Sequence, residues 1–108
     1  MSQTITAPAQ EATSEGLNEP QFNVVLLDDD DHTYDYVIEM LQRIFVLSLQ
    51  QALHNAQEVD ATGRTIVMTC ELPQAEFGRD QIHSYGRDWR LPRSKGSMSA
   101  IVEPASAV

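Results

Sequence analysis

The stretch Val24-Val25-Leu26-Leu27-Asp28-Asp29-Asp30-Asp31-His32-Thr33-Tyr34-Asp35-Tyr36-Val37-Ile38-Glu39-Met40-Leu41-Gln42-Arg43-Ile44-Phe45 changes its hydrophobic period halfway along. Val24–Leu27 is a short apolar run that stops at four aspartates, which predicts a buried strand beginning near Phe22 and an acidic loop after it. Beyond the loop, Val37, Met40, Leu41, Ile44 and Phe45 fall at i, i+3, i+4, i+7 and i+8, one apolar stripe of an amphipathic helix. His32 or Thr33 stands where an N-cap is needed, and Asp35 and Glu39 suit the positive helix start.

Working outward, Ser48 with Gln51 three residues on predicts the N-terminus of a second helix. Its expected inner face is Leu49, Ala52, Leu53, Ala56 and Val59, with Asp60 continuing the stripe, and Gly63 supplies a left-handed stop. Arg64–Leu72 is rich in β-branched residues and reads as a strand. Pro73 suits the first turn of a third helix over roughly 73–87. A basic loop, Arg87–Gly96, then leads to a closing strand at Ser97–Glu103. The order is β-α-α-β-α-β, an α+β domain with a small, three-stranded antiparallel sheet packed against three helices. Residues 1–20 offer little to bury and are expected to form a disordered N-terminal extension, either a solubilising tail or a flexible arm, ahead of a domain over 21–106.

The 108 residues carry 16 acids against 7 bases, a net charge of −9. Residues 1–42 hold nine of the acids and no Lys or Arg, so the imbalance lies entirely there. A protein so charged lacks the basic field that nucleic acid or an anionic membrane requires. The single cysteine, Cys70, excludes an internal disulfide and fits a reducing cytoplasm. No apolar run is long enough to span a membrane, and Met1–Gly16 has no signal-peptide pattern.

Asp28–Asp31 with His32 can be read three ways: a solvated turn, a transition-metal site, or a site for a positive group. A calcium loop is excluded, because the acids run consecutively instead of alternating and no glycine stands at the sharp turn. Asp60 is the second notable acid: it lies on the buried stripe and near a helix C-terminus, where negative charge opposes the macrodipole. It either opens the turn at 60–63 or faces the aspartate loop across a pocket. Cys70, His54 and His83 show no arrangement for catalysis, and no residue is assigned a catalytic or metal-binding role. Arg87, Arg90, Arg93 and Lys95 around Trp89 read as a solvated loop or a docking edge for an acidic partner.

Strand Asn23–Leu27, the acidic loop entering Tyr36–Gln42, the Gly63-Arg64 turn into a strand and the ending Ser99–Glu103 together resemble the ClpS adaptor family over about residues 22–105. The resemblance implies a cytoplasmic, monomeric adaptor of the Clp protease with no enzymatic activity and no cofactor. Such an adaptor recognises N-degrons, proteins with a bulky apolar first residue, and delivers them to a AAA+ unfoldase. By position, the α-amino group would meet Asp28, Asp29 and Asp60, where Asp28 stands for the family's Asn and Asp60 for its His. The degron side chain would meet His32, Tyr34 (the family's gating Met), Val37, Ala56, Val59 and Met98. The family's charged unfoldase contacts fall on Pro73 and Gly78, and the Arg87–Lys95 loop is longer here. The rival reading is a metal-binding protein or metal-dependent enzyme using Asp28–His32, and a third is a diverged fold docking on another partner.

Overall fold

The computed structural model describes residues 19–105. The expected disordered extension therefore lies, except for Glu19 and Pro20, outside the described residues. The elements run β1 (Phe22–Leu27), α1 (Tyr34–Phe45), α2 (Leu49–Thr62), β2 (Arg64–Cys70), α3 (Leu72–His83) and β3 (Ser99–Pro104). The architecture is the expected α+β one, three helices and a three-stranded antiparallel sheet in the order β2-β1-β3.

Central placement explains the unbroken apolar run of β1: Val24, Val25 and Leu26 are all fully buried. Val24 and Leu26 join the core beneath the helices, while Val25 is paired between Ile66 of β2 and Ile101 of β3. The edge strands alternate instead, with Thr65, Val67 and Ala100 buried and Ile66 and Ile101 exposed. A one-residue slip in the β1–β2 register at Val24/Val25 marks a bulge.

Helix α1 follows its predicted stripe. Thr33, not His32, is its N-cap, with the Thr33 hydroxyl accepting from the Tyr36 N–H at 3.1 Å. Its end is unusual, because Val46 takes the left-handed conformation (φ 54°) that β-branched residues avoid.

Helix α2 is capped as expected, by Ser48 on the Gln51 N–H and by Gly63 at φ 91°. Its buried face, however, is Ala52, Asn55, Ala56 and Val59, while Leu49, Leu53 and Asp60 are exposed. The helix is rolled because both faces share the small Ala52 and Ala56, which allow close approach, and Asn55 finds partners inward. The Asn55 Nδ2 donates to Thr65 Oγ1 at 2.8 Å and to the Ile66 carbonyl at 3.1 Å. Its Oδ1 accepts from Gln51 Nε2 at 3.1 Å. A buried amide so completely paired costs little, whereas an unpaired one costs on the order of 1–3 kcal/mol.

Strand β2 ends at Cys70 rather than Leu72, helix α3 stops at His83 rather than 87, and β3 begins at Ser99 rather than Ser97. Pro73 sits in the first turn of α3, as its fixed φ favours. Gly78 is buried against α1, where a Cβ would come within 2.9 Å of the Phe45 ring. Residue 78 therefore serves the packing of α3 on α1 instead of facing outward.

Candidate functional site

The aspartate loop is pinned at its start. The Asp28 N–H donates to the Gly63 carbonyl at 3.0 Å, tying the end of β1 to the turn after α2. That tie places Asp28 near Asp60, three residues before Gly63. Partial burial raises the Asp28 pKa above its ordinary value, and the charges of Asp60, Asp29 and Asp30 add to the rise, against the lowering effect of the Asp29 N–H. From α1, the Tyr34 hydroxyl reaches over and donates to Asp60 Oδ2 at 3.0 Å. This bond is also the main reason the Tyr34 phenol is held above its usual pKa.

The Tyr34–Asp60 bridge joins the start of α1 to the last turns of α2. Val37 lies one turn further along α1 and Ala56 one turn earlier on α2. Val37, Ala56 and Val59, with Met98 just ahead of β3, all belong to one contiguous apolar cluster and are at most 4% exposed. A phenol and a carboxylate thus bridge the two helices that supply Val37, Ala56 and Val59 to that cluster.

Asp29 and Asp31 are engaged differently. Asp29 Oδ1 accepts from the Asp31 N–H at 2.8 Å and from His32 Nδ1 at 2.7 Å. The other His32 nitrogen, Nε2, donates to the Gly96 carbonyl at 2.7 Å, and its ring lies 4.5 Å from that of Tyr36. Arg93 pairs with the Asp31 carboxylate at 3.3 Å and donates Nε to the Asp30 carbonyl at 2.9 Å. Asp29 and Asp31 thus each have a partner, His32 and Arg93, whereas Asp28 and Asp60 have no basic partner among the described residues.

The basic loop spends its arginines internally. Arg87 Nε donates to the Ser94 carbonyl at 2.9 Å, and Arg90 bridges Asp88 and Glu39, each at 3.2 Å, while covering one face of Trp89. This disfavours a docking edge for an acidic partner. It also exposes a residue that sequence reading passed over. Asp88 is 0% exposed. Its Oδ2 accepts from the Thr33 N–H and hydroxyl, both at 2.8 Å, and its Oδ1 from the Arg90 N–H at 3.0 Å and Arg90 Nη1 at 3.2 Å. Burial alone would raise its pKa, but the bonds donated by Thr33 and Arg90 outweigh it and lower the carboxyl to about 2. Asp88 thus caps the cap of α1 and clamps the last loop to the site. The bond to the N–H two residues on is an Asx turn, the one local hint that Asp-Trp-Arg carries a structured acid.

Metal chemistry finds no support in the donors. Both His32 nitrogens are already engaged, by Asp29 and by the Gly96 carbonyl, each at 2.7 Å. Among the described residues no three of His, Cys, Asp and Glu converge as a metal site requires. Cys70, half-buried at the end of β2 rather than mid-strand, has its thiol pKa pushed up by burial and by Glu71, which opposes thiolate chemistry. His54 is exposed, and His83 Nε2 accepts from the Ala100 N–H at 3.0 Å. Among the described residues no helix is long and apolar enough to cross a membrane.

The fold and site define a small α+β domain in which Asp28 and Asp60, brought together from different elements, lack a basic partner among the described residues. Residues 18–92 match the family model described as "ATP-dependent Clp protease adaptor protein ClpS". An ATP-dependent Clp protease adapter protein ClpS from a Synechococcus species is 33% identical over 85 residues, 78% of this chain and 91% of that one. A Vibrio atlanticus protein of the same name is 34% identical over 71 residues, 66% of this chain and 67% of that one. The structure of Agrobacterium tumefaciens ClpS2 bound to L-phenylalaninamide superposes with a TM-score of 0.69 at 22% identity, covering 82% of this chain and all of that one. The chain belongs to the ClpS family of Clp protease adaptor proteins.

Proposed function

We propose that this protein is an N-degron adaptor: it captures substrate proteins by a free α-amino group and a bulky apolar first side chain, and delivers them to the AAA+ unfoldase of the Clp protease. One observation carries the reading. Asp28 and Asp60, from different elements, lie close enough for the Asp60 charge to act on Asp28 and have no basic partner among the described residues, while the neighbouring Asp29 and Asp31 are paired. Asp28, Asp60 and the free oxygen of Asp29 receive the ammonium. Val37, Ala56, Val59 and Met98 receive the side chain, with Tyr34 at the entrance.

Asp60 replaces a family His with a full negative charge, and Asp28 replaces an Asn, so the mouth gains attraction for a cation. An ammonium 4 Å from one carboxylate gains about 1 kcal/mol in water and about 4 at an effective dielectric near 20. Burying a Leu or Phe side chain contributes roughly 1.5–3 kcal/mol more. Less the cost of association, these energies support a Kd on the order of micromolar, which suits a protein that must hand its cargo on. We assign delivery to the start of α3. With Gly78 turned inward, exposed Leu72 and Phe77 beside Pro73 offer an apolar contact where the family has charges. The adaptor acts as a cytoplasmic monomer.

Titration with a peptide beginning in Phe, against the same peptide N-acetylated, tests the capture step. Binding of the free amine with at least tenfold preference is expected, and equal binding would overturn the proposal. Retention on the unfoldase N-terminal domain tests delivery.

A further inference from the structure

We infer that His32 is a positioning residue that holds the Asp29 carboxylate toward the α-amino group and ties it to the loop carrying Met98. The inference rests on the N-degron reading and deepens it. His32 would otherwise be taken for a lining residue of the side-chain pocket, but its ring is already fully engaged. The side chain is only 4% exposed. Nδ1 lies 2.7 Å from Asp29 Oδ1, and Nε2 lies 2.7 Å from the Gly96 carbonyl, with Ser94 Oγ at 3.4 Å. A carboxylate and a carbonyl oxygen are both acceptors, so the ring is held at each of its two nitrogens. The Tyr36 ring, 4.5 Å away and tilted by 44°, fixes the plane in which those two nitrogens point.

The consequence for Asp29 is geometric. Its Oδ1 is held from two sides, by His32 and by the Asp31 N–H, which leaves Oδ2 as the oxygen able to meet a ligand. A carboxylate with one oxygen clamped is oriented before the ligand arrives, and the ordering entropy is not charged to binding. The second bond joins the two halves of the site. Gly96 stands two residues before Met98, so the same ring links the ammonium end to the wall of the side-chain pocket. Asp30 takes no part through its carboxylate, and Arg93 grips the loop from its outer side.

The test is a double-mutant cycle on peptide affinity. His32→Phe keeps a ring beside Tyr36 and removes both nitrogens; it should weaken binding of a Phe-initiated peptide by about tenfold, the loss expected when a hydrogen bond to a charged group is removed. In an Asp29→Asn background the same change should cost less than twofold, because its effect runs through the Asp29 carboxylate. Equal fold-losses in both backgrounds, or unchanged affinity of His32→Phe alone, would overturn the inference. If His32→Phe does not fold, His32→Gln, which keeps a donor on a shorter reach, is read in the same cycle with the same criteria. Wild-type protein that fails to prefer the free amine over the acetylated peptide overturns the N-degron reading itself, a result distinguishable from failure of the cycle.

Discussion

Replacing Asp88 by Asn keeps the size and shape of a side chain that is 0% exposed while removing its charge. Asp88 receives two donors from Thr33 and two from Arg90, one pair on each oxygen. Asn offers one acceptor oxygen and turns an NH2 group toward the other pair, so at least one set of donors loses its partner in the interior. The carboxyl moves from its ordinary value of 3.8 to about 2 on folding, which by linkage corresponds to about 2 kcal/mol of stability. A folded pKa below the unfolded one means this contribution is fully present above about pH 4 and is lost as pH falls through 2. Asp88→Asn should therefore cost about 2 kcal/mol at pH 7, a fall in Tm of about 10 °C for a domain this small. Comparing urea unfolding of parent and variant at pH 7 and pH 2.5 tests it, because the gap should narrow by about two-thirds on acidification. A difference under about 0.5 kcal/mol at pH 7, the range of a neutral surface change, would refute the clamp. So would a gap independent of pH.

Three other changes separate site from scaffold. Asp60→Ala should weaken binding of a Phe-initiated peptide by about tenfold yet leave urea stability within about 0.5 kcal/mol, since Asp60 is exposed and, among the described residues, its side chain is bonded by Tyr34 alone. Tyr36 donates its hydroxyl to the Gly86 carbonyl, and burial pushes its phenol up to about 12. Ultraviolet titration should find this tyrosine ionising last, and because its folded pKa lies above the unfolded value, stability should decline as pH rises from about 10 toward 12. Val46→Gly should raise stability by roughly 1 kcal/mol in denaturant unfolding, because Val46 is 85% exposed and sits at φ 54° at the end of α1.

The elements were largely legible because they depend on local signals. The β1 run, the α1 stripe, the Ser48 cap and the Gly63 stop each satisfy a backbone or burial requirement within a few residues of themselves. The errors came where the choice was not local. The stripe through Leu49 and Leu53 and the one through Asn55 share Ala52 and Ala56, and periodicity alone favours the leucines. Only Thr65 and the Ile66 carbonyl on β2, distant in sequence, make the burial of Asn55 affordable. Asp88 was invisible for the same reason. An acid in a basic loop looks solvated until Thr33, 55 positions away, is brought against it.

By itself the sequence determined the element order, the place of the sheet's central strand and the concentration of negative charge beside the first helix. It also located the family of proteins to which the chain is similar. The tertiary structure decided how that charge is apportioned. His32 and Arg93 engage Asp29 and Asp31, while folding the turn at Gly63 onto the end of β1 leaves Asp28 beside Asp60 without a counter-charge. The physical reason is range. Hydrophobic period and capping act over one or two turns of chain, whereas the net field at a site depends on which charges the finished fold places within a few ångströms.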